Sequence, residues 1–297
     1  MLRPSLSAFT VISLLILSAC GRPSGNGATG GRSLIQNKGS DTLVNVAQAW
    51  AESYKEVEPN TAVAVSGGGS GTGISAMING TVDLANSSRA MKEKELEMAQ
   101  ANGVDPVQHV VGYDALAVYL HPDNPAEFLS LAQLADIYGE GGGAERWKDL
   151  GITVAGCPSD EIVRVSRQNN SGTYAYFQEA VLGKGRDFKL GSRDMHGSKD
   201  VVDLVEHTPC AIGYSGLAYA IPEIKLACIG DSAESCVAPT VDTAVDGSYP
   251  ISRPLFMYTS GQPTGAVAEY LQWILSDTGQ CIIKDKGYAP ATPVTCS

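Results

Sequence analysis

Positive charge is scarce in this sequence. Lys and Arg number 21 against 32 Asp and Glu, for a formal net charge of −11. That balance argues against nucleic acid or an anionic membrane surface as a partner. Histidine is scarcer still, with only four residues (His109, His121, His196 and His207) scattered along the chain. No C-x-x-C pair occurs, so no metal-ligand spacing is present and no metal is expected. The histidine placement also argues against a hydrolase built on a nucleophile and its base. Around Ser70 the chain reads "GGSGT", with Thr72 where G-x-S-x-G needs its last glycine. Nothing matches G-x-x-x-x-G-K-[ST], and "GTGISA" lacks the rest of a dinucleotide fingerprint, so no cofactor is expected. No internal repeat is found.

What is present begins with a leader. Arg3 precedes the apolar run "FTVISLLILS", Phe9 to Ser18. The run falls short of the roughly 20 apolar residues needed to span a bilayer, so residues 1–19 read as a signal peptide. "LSAC", Leu17 to Cys20, resembles a bacterial lipobox, with Cys20 as the lipidated residue. Residues 20–32 are Gly-rich and without apolar period, and read as a tether. The chain carries seven cysteines. Setting Cys20 aside leaves an even set for an exported protein. The expected pairs are Cys228 with Cys236 and Cys281 with Cys296, which close short loops, and Cys157 with Cys210 by elimination.

The body alternates strand-like and helix-like stretches, which implies an α/β fold with mainly parallel sheets. At 297 residues, two domains are expected. In "DTLVNVAQAWAESYKEV", Ala47, Trp50, Ala51 and Tyr54 recur at helical spacing. "HVVGYDALAVYLHP" reads as a long strand crossing between domains, and "GAVAEYLQWILSD" as the final helix.

One grammar recurs in three places. A strand ends, small hydroxyl residues and glycine follow, and a helix begins: "GSDT" at Gly39–Thr42, "GGGSGTG" at Gly67–Gly73, and "SGT" at Ser171–Thr173. Helix N-termini present free N–H groups and partial positive charge, and glycine admits a ligand to the backbone. At the carboxyl ends of strands in an open α/β sheet, three such loops would build an anion pocket with little net positive charge. Arg167, four residues before Ser171, can add a charge-assisted contact. "SSR", Ser87–Arg89, is a fourth element after a strand.

These stretches, with "LSLAQLADIYGEG", "VSRQNNSGTYAYFQE" and "YPISRPLFMYT", resemble the phosphate-binding proteins of bacterial high-affinity phosphate ABC transporters. The likeness runs from about Leu34 to the C-terminus. It implies a type II periplasmic-binding-protein fold, two α/β lobes joined by a two-strand hinge: residues 33–113 plus 254–297, and 114–253. It implies a binding protein rather than an enzyme, extracytoplasmic and lipid-anchored, capturing inorganic phosphate as a monomer for an ABC permease. The implied phosphate contacts are Ser40, Asp41, Thr42, Ser70, Ser88, Arg89, Arg167, Ser171, Gly172 and Thr173. Where many members carry a proton-accepting aspartate after the "VD" strand, this chain has Ser88 and Arg89. Asp41 is the best substitute acceptor. A carboxylate there tolerates an oxyanion that brings a proton and repels one without. Receptors for sulfate, molybdate or tungstate, and less so a secreted phosphatase, are the alternatives.

Overall fold

In β1 (Ser33–Gly39), Ile35, Asn37 and Gly39 are buried while Leu34 and Gln36 are exposed, the period of two expected of a strand with one covered face. A computed structural model describes residues 32–296. The leader, the lipobox cysteine Cys20 and most of the tether lie outside the described residues.

The other strands are β2 (Thr61–Ser66), β3 (Leu84–Ser87), β4 (Pro106–Leu120), β5 (Phe128–Leu129), β6 (Val163–Arg167), β7 (Arg193–Met195), β8 (Ala211–Gly216), β9 (Lys225–Ile229), β10 (Ser252–Ser260) and β11 (Ala289–Pro290). The helices are α1 (Val44–Val57), α2 (Ser70–Ile78), α3 (Glu93–Ala101), α4 (Leu131–Tyr138), α5 (Gly172–Phe177), α6 (Ser198–Glu206), α7 (Val241–Val245), α8 (Gly265–Ile274) and α9 (Asp277–Asp285). Along the sheet the order is β2-β1-β3-β10-β4-β8-β6-β7.

β4 is the strand that ties this order together. Its first part, Pro106–Ala115, pairs with β10; its second, Leu116–Leu120, pairs with β8. Two α/β lobes result, joined where β4 and β10 run side by side. One core gathers Ile35, Leu43, Trp50, Leu84, Leu255 and Met257 under α1 and α8. Another gathers Leu120, Leu134, Tyr138, Trp147, Phe177 and Tyr214. In it the Phe177 and Tyr214 rings stack with centroids 3.8 Å apart. Burying each such side chain contributes roughly 1.5–3 kcal/mol.

Several expectations change in detail. The sheet is mixed rather than mainly parallel, because β10 and β4 run antiparallel to their neighbours. A chain that crosses between lobes and returns brings its two crossing strands together in opposite directions. Ala51 is only partly buried, and Val46 takes a core place beside Ala47, Trp50 and Tyr54. α8 is not the last helix: Ser276, in extended conformation, starts α9. A Cβ on Gly279 would collide with the Ile274 backbone, so only glycine lets the two helices turn this closely. The three expected disulfides form, Cys157–Cys210, Cys228–Cys236 and Cys281–Cys296. No helix among the described residues is long and apolar enough to cross a membrane.

Candidate functional site

Three strand ends carry the hydroxyl loops to one place. Ser40 follows β1, Ser88 follows β3, and Ser171 follows β6 after a short loop. Ser70 is itself the first residue of α2, so the helix begins inside the "GGGSGTG" stretch rather than after it. Gly69 precedes it at φ 89°, a left-handed conformation that favours glycine. A side chain there would strike the Asn170 carbonyl, so the loop from one lobe lies against the backbone of the other.

The hydroxyls form two linked groups. Ser40 Oγ donates to Ser88 Oγ at 3.0 Å, and the Ser88 amide donates to Ser70 Oγ at 3.1 Å. Thr42 Oγ1 and Thr173 Oγ1, one from each lobe, lie 3.0 Å apart. Gly172 packs between Ser70 and Ser88, and an added Cβ would collide with both Oγ atoms. Ser171 caps α5, its Oγ accepting from the Thr173 amide at 3.1 Å. All of these residues are buried.

Arg167 enters from the end of β6 with no exposed side-chain surface. Its guanidinium donates to Ser198 Oγ at 3.0 Å and to the His196 carbonyl at 2.8 Å. Burial pulls its pKa down, and the nearby Asp41 carboxylate opposes that. Its Nη2 lies 3.4 Å from Asp41 Oδ2. Asp41 does not cap its own helix, since its Oδ1 accepts the Gly68 amide at 3.0 Å. The carboxylate thus stays beside the arginine and between two of the loops.

Arg89 is the exception among the expected contacts. Both of its terminal nitrogens bind Glu95, at 2.7 and 2.8 Å, and its one other side-chain hydrogen bond goes to the Ala90 carbonyl. Glu95, on the first turn of α3, captures the guanidinium that the "SSR" pattern suggested for the site.

The structure adds residues that motif reading passed over. Arg253 on β10 lies opposite Asp114 on β4. Its Nη2 is 2.8 Å from Asp114 Oδ2, and both side chains are buried. Burial raises the Asp114 pKa, and Arg253 acts against that rise. A signal existed: each is a lone charge inside an apolar strand, and a buried charge requires a partner. Tyr219, from the lobe of β8, donates its hydroxyl to the Asp41 carbonyl at 2.6 Å. Tyr288 donates to the Thr42 carbonyl. Burial pushes the Tyr219 pKa up to about 12, which keeps it a neutral donor. A cleft of about 680 Å³, bordered by Arg89, Tyr176, Arg253 and Phe256, adjoins the cluster.

Arg167 and Arg253 balance Asp41 and Asp114 in formal charge. The site therefore offers an anion oriented dipoles and O–H donors more than net charge. Two α/β lobes with such a site between them define a solute-binding protein, and the PBP superfamily domain pattern matches residues 24–278. The chain is 34% identical to the phosphate-binding protein PstS of Pseudomonas aeruginosa over 275 residues, 89% of this chain and 84% of that protein. It is 30% identical to PstS of Bacillus subtilis over 292 residues, 94% and 91% of the two chains. Among solved structures it is similar to a substrate-binding protein assigned to phosphate ABC transport in Clostridium perfringens, solved with bound phosphate. There the TM-score is 0.77 at 27% identity, covering 88% of this chain and all of the other. An ABC-type phosphate transport receptor from Vibrio cholerae gives a TM-score of 0.68 at 25% identity over 87% of this chain. The chain belongs to the PstS family of phosphate-binding proteins.

Proposed function

We propose that this protein captures inorganic phosphate between its lobes and delivers it to an ABC permease. The observation that carries this reading is the meeting of Ser40, Ser70 and Ser88, and of Thr42 with Thr173 across the lobes, with the Asp41–Arg167 pair joined to the same loops. Hydroxyls and N–H groups donate to the phosphate oxygens, and Arg167 adds charge-assisted bonds. Asp41 has lone pairs left after accepting from Gly68 and Arg167. It accepts the proton that phosphate carries at neutral pH and sulfate does not. Arg89 serves Glu95 instead of the ligand.

The lobes are residues 33–113 with 254–297, and 114–253. Closure about β4 and β10 brings Thr42 to Thr173 and encloses the ligand. The protein acts as a receptor without catalysis and as a monomer. It works outside the cytoplasm, held to the membrane by a lipid on Cys20 after removal of residues 1–19. Isothermal titration with phosphate, sulfate and arsenate tests the reading. Phosphate and its near-isostere arsenate should bind while sulfate does not. Sulfate binding as tightly as phosphate would reassign the site to oxyanions in general.

A further inference from the structure

Arg253 touches both lobes' hydroxyls from beneath. Its Nη2 lies 3.0 Å from Thr173 Oγ1 and 3.3 Å from Thr42 Oγ1, and these two oxygens are 3.0 Å from each other. The same Nη2 reaches Asp114 Oδ2 at 2.8 Å, and Nη1 donates to the Ser88 carbonyl at 3.1 Å. Nη2 has two hydrogens. One serves Asp114, so the other is shared between the two threonine oxygens in a three-centre bond. Asp114 and Arg253 pair across the strands that join the lobes, which fixes the guanidinium at the crossing point.

We propose that Arg253 is a positioning residue that sets the polarity of the Thr42–Thr173 pair, so that one hydroxyl donates to its partner and the other is left to face the ligand as a donor. This role rests on the phosphate reading. An oxygen that accepts from Arg253 must turn its own hydrogen elsewhere. Arginine stays protonated and never accepts, so the direction of these bonds is fixed at every working pH. One hydroxyl hydrogen closes the Thr42–Thr173 bond, and the other points into the site. An incoming oxyanion meets a donor already aimed, which lowers the ordering cost of binding. The two threonines come from opposite lobes, so Arg253 meets both only when the lobes are closed. The pair thereby links closure to donor geometry.

A double-mutant cycle on phosphate affinity tests this. Arg253→Lys keeps the charge but cannot hold Asp114, the Ser88 carbonyl and both hydroxyls together. In the otherwise unchanged chain it should weaken phosphate binding by about 10-fold or more, the scale of hydrogen bonds to charged groups. In a Thr42→Val/Thr173→Val background the same change should cost less than about 3-fold, since its targets are gone. Equal fold-losses in both backgrounds, with cooperative melting retained, overturn the role while leaving the phosphate reading in place. Should Arg253→Lys fail to melt cooperatively, Arg253→Gln with Asp114→Asn removes both buried charges together and enters the same cycle. A wild-type chain that binds no phosphate overturns the proposed function and this role with it.

Discussion

Asp41 and Arg167, 126 residues apart and on opposite lobes, meet with Oδ2 and Nη2 3.4 Å apart beside the cluster of hydroxyls. A buried arginine in an anion site needs no carboxylate to hold the anion. A carboxylate in that place makes sense when the ligand supplies a proton for it. Asp41→Asn should therefore keep phosphate binding and lose rejection of sulfate. The ratio of the two dissociation constants should fall by about 10-fold or more, against a ceiling near 10⁴ for sites that demand a missing hydrogen-bond partner. Competition titration of the variant measures it. An unchanged ratio would remove Asp41 from the selection of ligand.

Gly172 sits where a single methyl group would meet Ser70 Oγ and Ser88 Oγ. Gly172 belongs to the lobe of β6, and the two serines to the lobe of β1 and β3. Gly172→Ala should hold the lobes apart without harming either core. Phosphate affinity should fall about 100-fold or more, the cost of losing several charge-assisted bonds at once, while the melting temperature without ligand stays near that of wild type. Small-angle scattering with saturating phosphate should show the more open form.

Tyr219 bonds the Asp41 carbonyl at 2.6 Å from across the cleft. Removing one neutral hydrogen bond costs about 1 kcal/mol, or about 5-fold. Tyr219→Phe should raise the phosphate off-rate by about that factor with little change in on-rate, because the contact forms on closure. Stopped-flow measurement of both rates separates the two. A change confined to the on-rate would argue against a latch.

Glu95 pairs with Arg89, at 2.7 and 2.8 Å, and the pair sets a pH dependence. Burial pushes the Glu95 pKa up, but the Arg89 hydrogen bonds and the Lys92 amide outweigh it, and the group ends below its ordinary 4.5. A depressed carboxylate stabilises the fold above its unfolded pKa, and that contribution is lost as pH falls through the folded value. Melting temperatures should therefore drop as pH falls below about 4.5. Glu95→Gln should be less stable at pH 7 and show a shallower acid limb. Equal acid slopes in the two proteins would assign the loss elsewhere.

Much of the site could be read from the chain because it is local. Ser40 to Thr42, Ser70 and Ser171 to Thr173 each lie where a strand gives way to a helix, and hydroxyls with glycine mark that junction within a few residues. The Arg253–Asp114 pair could not be read the same way. Its partners are 139 residues apart and meet only through the pairing of β4 with β10. Arg89 has a local partner that motif reading passed over: Glu95, six residues on, binds its guanidinium. α9 was passed over because Ser276 to Gln280, its cap and first turn, hold no apolar residue to show a helical period.

Calorimetric titration of the mature domain with phosphate, beside sulfate at the same ionic strength, tests the central claim most directly. Phosphate should bind saturably, near one site per chain and with a dissociation constant well below millimolar, with sulfate silent at the same concentrations. A millimolar constant corresponds to only about 4 kcal/mol, too little for a cluster of buried donors closing on a dehydrated anion. No phosphate binding below the millimolar range would contradict it.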